Sequence, residues 1–185
     1  AGLGILRAVH PGLKWNDAKR ERFEKGIVSA QTLEIPFPHP GLAWTLWLMD
    51  VPLPGLESID RRLHFKSGVR ELLRTASTLF AKVQDLTEQQ PSQWVALLDE
   101  FPFKAVQGVF LVLPTGAPRN ALQNYLALWR HVKAKTTGHD LKRYGLQPGP
   151  AYQVILKRIR AARLDGEINT PAEELDLLGK LTNKE

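Results

Sequence analysis

Apolar positions recur at helical spacing along nearly the whole chain. Residues 17–33 read as a helix, with Asn16 as its N-cap and Phe23, Ile27, Ala30 and Leu33 on its apolar side. Pro36, Pro38 and Pro40 then force an extended break. Residues 42–49, with Trp44 and Trp47 three apart, predict a short buried helix closed by Pro52, Pro54 and Gly55. A short helix over 59–65 and a break at Ser67-Gly68 come next. A helix over 69–86 follows, carrying Leu72, Leu73, Ala76, Leu79, Phe80 and Val83. Pro91 ends it, and Ser92 is placed to cap a helix reaching Leu98. Residues 103–113 are too uniformly apolar for periodicity to separate a buried helix from a buried strand, although helical neighbours favour helix.

Pro114-Thr115-Gly116 is the clearest internal boundary. Helices over 117–132 and 150–164 follow it. Thr170-Pro171-x-Glu173 marks a capped start, with Pro at the first helical position, for a last helix through Leu181. No repeat, low-complexity tract or alternating strand pattern with a hairpin turn interrupts this. The expectation is an all-α multi-helix bundle of about ten helices without a sheet, divided into regions 1–115 and 116–185.

Composition narrows the class. At 185 residues the chain can bury a real core as one large or two small domains, and 43% hydrophobic with 24% charged residues is ordinary for a globular protein. The absence of cysteine excludes disulfides, thiolate zinc sites and thiol nucleophiles. No apolar run approaches the roughly 20 residues a membrane span needs, and the N-terminus shows no signal pattern. A cytoplasmic protein with no membrane partner is expected. The chain opens on Ala1 without an initiator methionine, as a segment of a longer protein would.

Charge changes the picture more. The net charge is +6, and residues 1–115 hold 13 basic and 12 acidic side chains against 12 and 7 in 116–185. From Arg119 to Arg163 there are ten lysines or arginines and a single acid, Asp140. An anionic partner would meet this part of the chain. Lys157, Arg160 and Arg163, three apart, form a basic stripe beside the apolar face of Tyr152, Ile155, Ile159 and Ala162. The plain alternative is a solvated face. Arg119, Lys142 and Arg143 flank the stripe, and Arg130, Lys133 and Lys135 extend the region. The expected nucleic-acid contact set is therefore Arg119, Lys142, Arg143, Lys157, Arg160 and Arg163.

Other motifs have structural readings beside functional ones. Gly145 suits a left-handed helix end, and Pro148, Gly149 and Pro150 a rigid corner whose helix N-terminus could face a phosphate. His139-Asp140 invites a metal reading of the HD-phosphohydrolase type. His10, His39, His64 and His131 supply no convincing ligand spacing, and Asp140 after Gly138 reads as a cap. Asp165-Gly166-Glu167 is too poor in ligands for a calcium loop and reads as a helix end at Gly166. Trp44, Trp47, Trp94 and Trp129 are expected in the core, with Trp15 partly exposed.

Thr137-Gly138-His139-Asp140-Leu141, Leu146–Pro150 and Leu164-Asp165-Gly166-Glu167 closely resemble the C-terminal helical region of bacterial tRNA nucleotidyltransferases, the CCA-adding enzymes and their poly(A) polymerase relatives. Weaker likeness lies at residues 3–11, as at a neck–body junction, and at Ile59-Asp60-Arg61-Arg62-Leu63. The resemblance implies that 1–115 is the neck end and body and 116–185 the basic tail. It implies that Gly138, His139, Asp140, Pro148, Gly149, Pro150, Asp165 and Gly166 are motif positions, structural or RNA-facing. In that family, catalysis sits in an N-terminal head whose Gly-Ser turn and Asp-x-Asp pair hold two magnesium ions, with ATP or CTP as substrate. This sequence has no Asp-x-Asp and no Glu-Asp-x-x-Arg-like nucleotide-selecting motif, so no catalytic or metal residue carries over. The implied role is binding the tRNA or RNA 3′ end as body and tail of a transferase whose head lies in the same parent chain. This piece would be inactive alone. The alternatives are an HD-type metal-dependent phosphohydrolase domain using His139 and Asp140, or a helical protein-interaction module.

Overall fold

The computed structural model describes residues 3–87 and 89–182. Among the described residues there are eleven α-helices, one 3₁₀ turn and no strand. They are α1 (Leu3–Val9), α2 (Asp17–Thr32), α3 (Pro40–Leu48), α4 (Leu53–Leu63), α5 (Ser67–Val83), α6 (Pro91–Leu98), α7 (Phe103–Val112), α8 (Ala117–Ala127), α9 (Gly138–Arg143), α10 (Pro150–Leu164) and α11 (Pro171–Thr182), with the 3₁₀ turn at Trp129–His131. The all-α expectation holds. No described helix is long and apolar enough to cross a membrane.

The chain forms two compact units, residues 1–88 with 98–127, and residues 89–97 with 128–185. This division differs from the one expected at Pro114-Thr115-Gly116, because α8 packs back on α7 within the first unit. Arg119 fastens it there. Its guanidinium donates to Phe110 O (2.6 Å), Leu113 O (2.7 Å) and Ser29 Oγ (2.6 Å) and lies 4.4 Å from the Phe110 ring centroid.

In the first unit α3 packs against α2, α5 and α7. Leu42, Leu46 and Leu48 on α3 are buried, as is every residue of α7 from Ala105 to Leu111. That total burial is why periodicity alone could not assign α7. Close approach needs glycine on both α2 and α7 where they meet α3. A Cβ on Gly26 would sit 2.7 Å from Leu46 Cδ2, and one on Gly108 would sit 3.0 Å from Thr45 Oγ1. Beside this core, Trp44 stacks on Trp47 (centroids 5.2 Å apart, 5° between planes) and packs edgewise on Phe65 at 4.8 Å. Trp94 is buried as expected, but Trp44, Trp47 and Trp129 are only half-buried; Trp15 is partly exposed.

The C-terminal carbonyls of α3 are met by cations from α2. Buried Lys19 donates Nζ to Trp47 O (2.7 Å), and Arg22 donates to Leu46 O (3.3 Å); both also reach Asp50 Oδ1 at 3.1 Å. Burial works to raise the Asp50 pKa, but the hydrogen bonds and charge of Lys19, with help from Arg22, hold it below the usual carboxylate range.

Local signals fix most boundaries. Asn16 Oδ1 accepts from Lys19 N at 2.9 Å, as an N-cap should. Four details differ from the sequence pattern. Pro54 and Gly55 lie in the first turn of α4 rather than closing α3, since proline is tolerated where no intrahelical N–H bond is lost. Ser67 and Gly68 open α5 rather than break before it. Ser92 lies inside α6 and is not its cap. The helix from 117 stops at Ala127 and gives way to the 3₁₀ turn.

Candidate nucleic-acid interface

The second unit contains the basic part of the chain, and its frame comes first. Leu141, Ile159, Ala162, Ile168 and Leu178 form its core, with Leu146, Tyr152, Ile155, Leu156 and Leu181 packed against them. Thr137 caps α9 in a capping box. Its hydroxyl accepts from Asp140 N at 3.4 Å, while Asp140 Oδ2 accepts from Thr137 N at 2.9 Å and from Thr137 Oγ1 at 2.7 Å. These bonds hold the Asp140 pKa below the usual range. Gly145 ends α9 at φ +83° and Gly166 follows α10 at φ +75°, both left-handed as expected. Tyr152 Oη donates to Leu146 O at 3.0 Å across the Pro148–Pro150 corner, which fixes the start of α10. Pro148, Gly149 and Pro150 are exposed, and no side chain caps α10 there.

Asp165, expected only as part of a helix end, reaches back in sequence. Its Oδ1 accepts from Ser92 N at 2.8 Å and its Oδ2 from Ser92 Oγ at 2.7 Å, satisfying donors in the first turn of α6. The capping chemistry expected of Ser92 thus comes from a carboxylate 73 residues away.

The basic stripe does not present one exposed face. Three residues of helix advance by about 300°, so Lys157, Arg160 and Arg163 drift by about 120° in all. Lys157 is exposed. Arg160 is half-buried and donates Nε to Val132 O at 2.9 Å. Arg163 has turned to α11, where Nη1 meets Glu174 Oε2 at 2.8 Å with side chains 19% and 2% exposed. The other oxygen of Glu174 accepts from Thr136 N (2.6 Å) and Thr136 Oγ1 (2.7 Å). Burial works to raise the Glu174 pKa, but the Thr136 bonds and Arg163 together hold it low. Arg119 is likewise committed, and to carbonyls of the first unit, where burial lowers its pKa.

Of the six cations expected to meet RNA, Lys142, Arg143 and Lys157 are exposed, all in the second unit. Lys133, Lys135 and His139 of that unit are exposed too. The sequence reading missed Arg158 and Lys180. Arg158 pairs with Glu167 at 2.6 Å, and Arg158 and Lys180 line a cleft of about 820 Å³ with Tyr144. The signal for Tyr144 was its place directly after Lys142-Arg143.

A metal at His139-Asp140 is not favoured. Asp140 Oδ2 is already engaged twice by Thr137, and no group of three or more His, Asp or Glu among the described residues could hold a metal ion.

No protein-family model matches the chain. It is 26% identical, over an alignment of 207 residues covering 99% of this chain, to an A-adding tRNA nucleotidyltransferase of Geobacter sulfurreducens. Its likeness is to the A- and CCA-adding tRNA nucleotidyltransferases. The fold agrees: it matches a Thermotoga maritima CCA-adding enzyme complexed with tRNA at a TM-score of 0.66, over 96% of this chain and with 16% identity. A CCA-adding enzyme in complex with CTP matches at 0.64 over 94%, again with 16% identity. The chain spans 22% of the Geobacter relative's length, and 45% and 43% of the two solved chains. Resemblance and helical architecture thus agree with the sequence motifs.

Proposed function

We propose that this chain is the RNA-binding body and tail of a template-independent nucleotidyltransferase that adds A or CCA to tRNA 3′ ends. Its catalytic carboxylates would belong to a head domain of the same parent protein. The observation that carries the reading is the 99% coverage by an A-adding relative of which the match takes only 22%, in a chain without an Asp-x-Asp pair. Magnesium and ATP or CTP would be held by that head, as the resemblance to the nucleotidyltransferases implies. The same reading carries the expectation of a cytoplasmic protein.

The exposed cations of the second unit supply the binding chemistry. Lysine and arginine on phosphates release counterions, so affinity falls with salt and the slope counts neutralised charges. The test is binding of a labelled tRNA transcript by the 185-residue chain over a salt series. Replacing Lys142, Arg143 and Lys157 with alanine should make the log K against log salt slope shallower by about 2, at 0.7–0.9 per phosphate. Binding of wild type without salt dependence, or transfer of nucleotides to tRNA by this chain alone, would refute the proposal. Arg163 is unsuitable for such a test, because its guanidinium is paired to the buried Glu174 carboxylate.

A further inference from the structure

The charged surface explains attraction to an RNA backbone but leaves the cleft beside it without a role. Tyr144, Arg158, Leu175, Asp176, Gly179 and Lys180 line it, all within the second unit. Tyr144 is 46% exposed and Leu175 48%, so the phenol ring and a leucine stand open to solvent in a basic neighbourhood. Tyr144 follows Lys142 and Arg143 directly, at the turn closed by Gly145.

Gly179 is the second observation. It lies in the interior of α11, where glycine weakens a helix relative to alanine. Other glycines beyond the first turn of a helix have a packing reason. A Cβ on Gly26 or Gly108 would press on Leu46 or Thr45, whereas one on Gly179 would meet nothing within 4 Å. The fold gains nothing from this glycine. A flat group entering the cleft does, because the bare backbone leaves room for it.

The charges select the occupant. A bare phosphate does not fit a cleft walled by a phenol ring, a leucine and the Asp176 carboxylate. A nucleobase does: its face stacks on an aromatic ring, its edge can donate an amino proton to a carboxylate, and a flanking phosphate suits the Lys180 ammonium, Arg158 being shared with Glu167. We propose that this cleft takes an unstacked base of the bound RNA on the Tyr144 ring, over the gap left by Gly179. This rests on the RNA-binding reading above and adds to it a contact that salt does not screen.

The test is tRNA binding by the full chain and its variants across a salt series, with melting curves in parallel. Base–aromatic stacking loses about 5- to 150-fold in affinity on truncation to alanine, so Tyr144→Ala should fall in that range with an unchanged salt slope. Tyr144→Phe keeps the ring and should bind as wild type does. Gly179→Ala should move the two readouts in opposite directions, raising Tm by about 2–4 °C while weakening tRNA binding. Should Tyr144→Ala and Gly179→Ala both bind like wild type, the cleft holds no base and a protein partner becomes its better occupant, although the RNA-binding reading survives. A loss in Tyr144→Phe equal to that in Tyr144→Ala would replace stacking with a hydroxyl contact and also overturn the proposal. If wild type itself ignored tRNA, both readings would fall together.

Discussion

Arg163 separates a structural cation from a ligand-binding one, and its removal can be worked through in detail. Glu174 is 1% exposed, and in Arg163→Ala its carboxylate keeps Thr136 but loses the Arg163 guanidinium. Breaking a buried ion pair from one side costs about 3–5 kcal/mol, because an uncompensated charge remains. Taking about 3 kcal/mol for a pair whose arginine is partly wetted, Tm should fall by about 6–12 °C, at roughly 2–4 °C per kcal/mol for a chain of this size. Lys157→Ala, one face of α10 away and exposed, should stay within about 0.5 kcal/mol of wild type. The pH dependence has a definite sign. The folded-state pKa of Glu174 lies below its ordinary value. The stability it contributes is therefore present above that ordinary value and lost as pH falls through the lowered one. Without Arg163, burial acts less opposed, and Glu174 takes up its proton at higher pH. The gap in Tm between wild type and Arg163→Ala should thus be widest near pH 7 and narrow below the ordinary glutamate range. Circular dichroism melts at several pH values measure it, and hydrogen exchange at the Thr136 amide reports the site locally. A melt of Arg163→Ala within 1 °C of wild type, or a gap equally wide at pH 7 and pH 4, would show that Arg163 does not compensate a buried charge.

Three further outcomes are expected. Arg119→Ala should destabilise the first unit by about 2–4 kcal/mol, since Phe110 O and Leu113 O lose a charged donor in a half-buried setting, while tRNA affinity holds; a stable variant with weakened tRNA binding would reverse that assignment. Gly26→Ala should lower stability by about 1–3 kcal/mol despite alanine's better helix propensity, because the new Cβ meets Leu46 at 2.7 Å; a rise in Tm would mean the Leu46 side chain moves away freely. Asp165→Ala should cost about 0.5–2 kcal/mol and speed amide exchange at Ser92, and unchanged exchange there would remove the long-range cap.

The sequence by itself determined the elements whose causes are local. Asn16, Thr170 with Glu173, and the glycines at 145 and 166 each act within about one turn of their own helix, so the chain announces them wherever it folds; Asp140 reads as a cap itself, where the structure makes Thr137 the cap of α9 and Asp140 its partner three residues on. The concentration of positive charge after Arg119 was equally legible, because it is a property of composition. Which of those charges remain available was decided only by tertiary structure. A helical wheel carries Lys157, Arg160 and Arg163 slowly round α10, but it cannot know that α11 delivers Glu174 against the last of them. Nor can it know that the carbonyls of Phe110 and Leu113 await Arg119. The assignment of α7 rested on neighbours that bury every side of it, and the cap on α6 on an aspartate 73 residues away. The reason is common to all of these. Backbone caps and turns are satisfied by neighbours in sequence, whereas a long cationic side chain is claimed by whichever buried acceptor the packing brings within its reach.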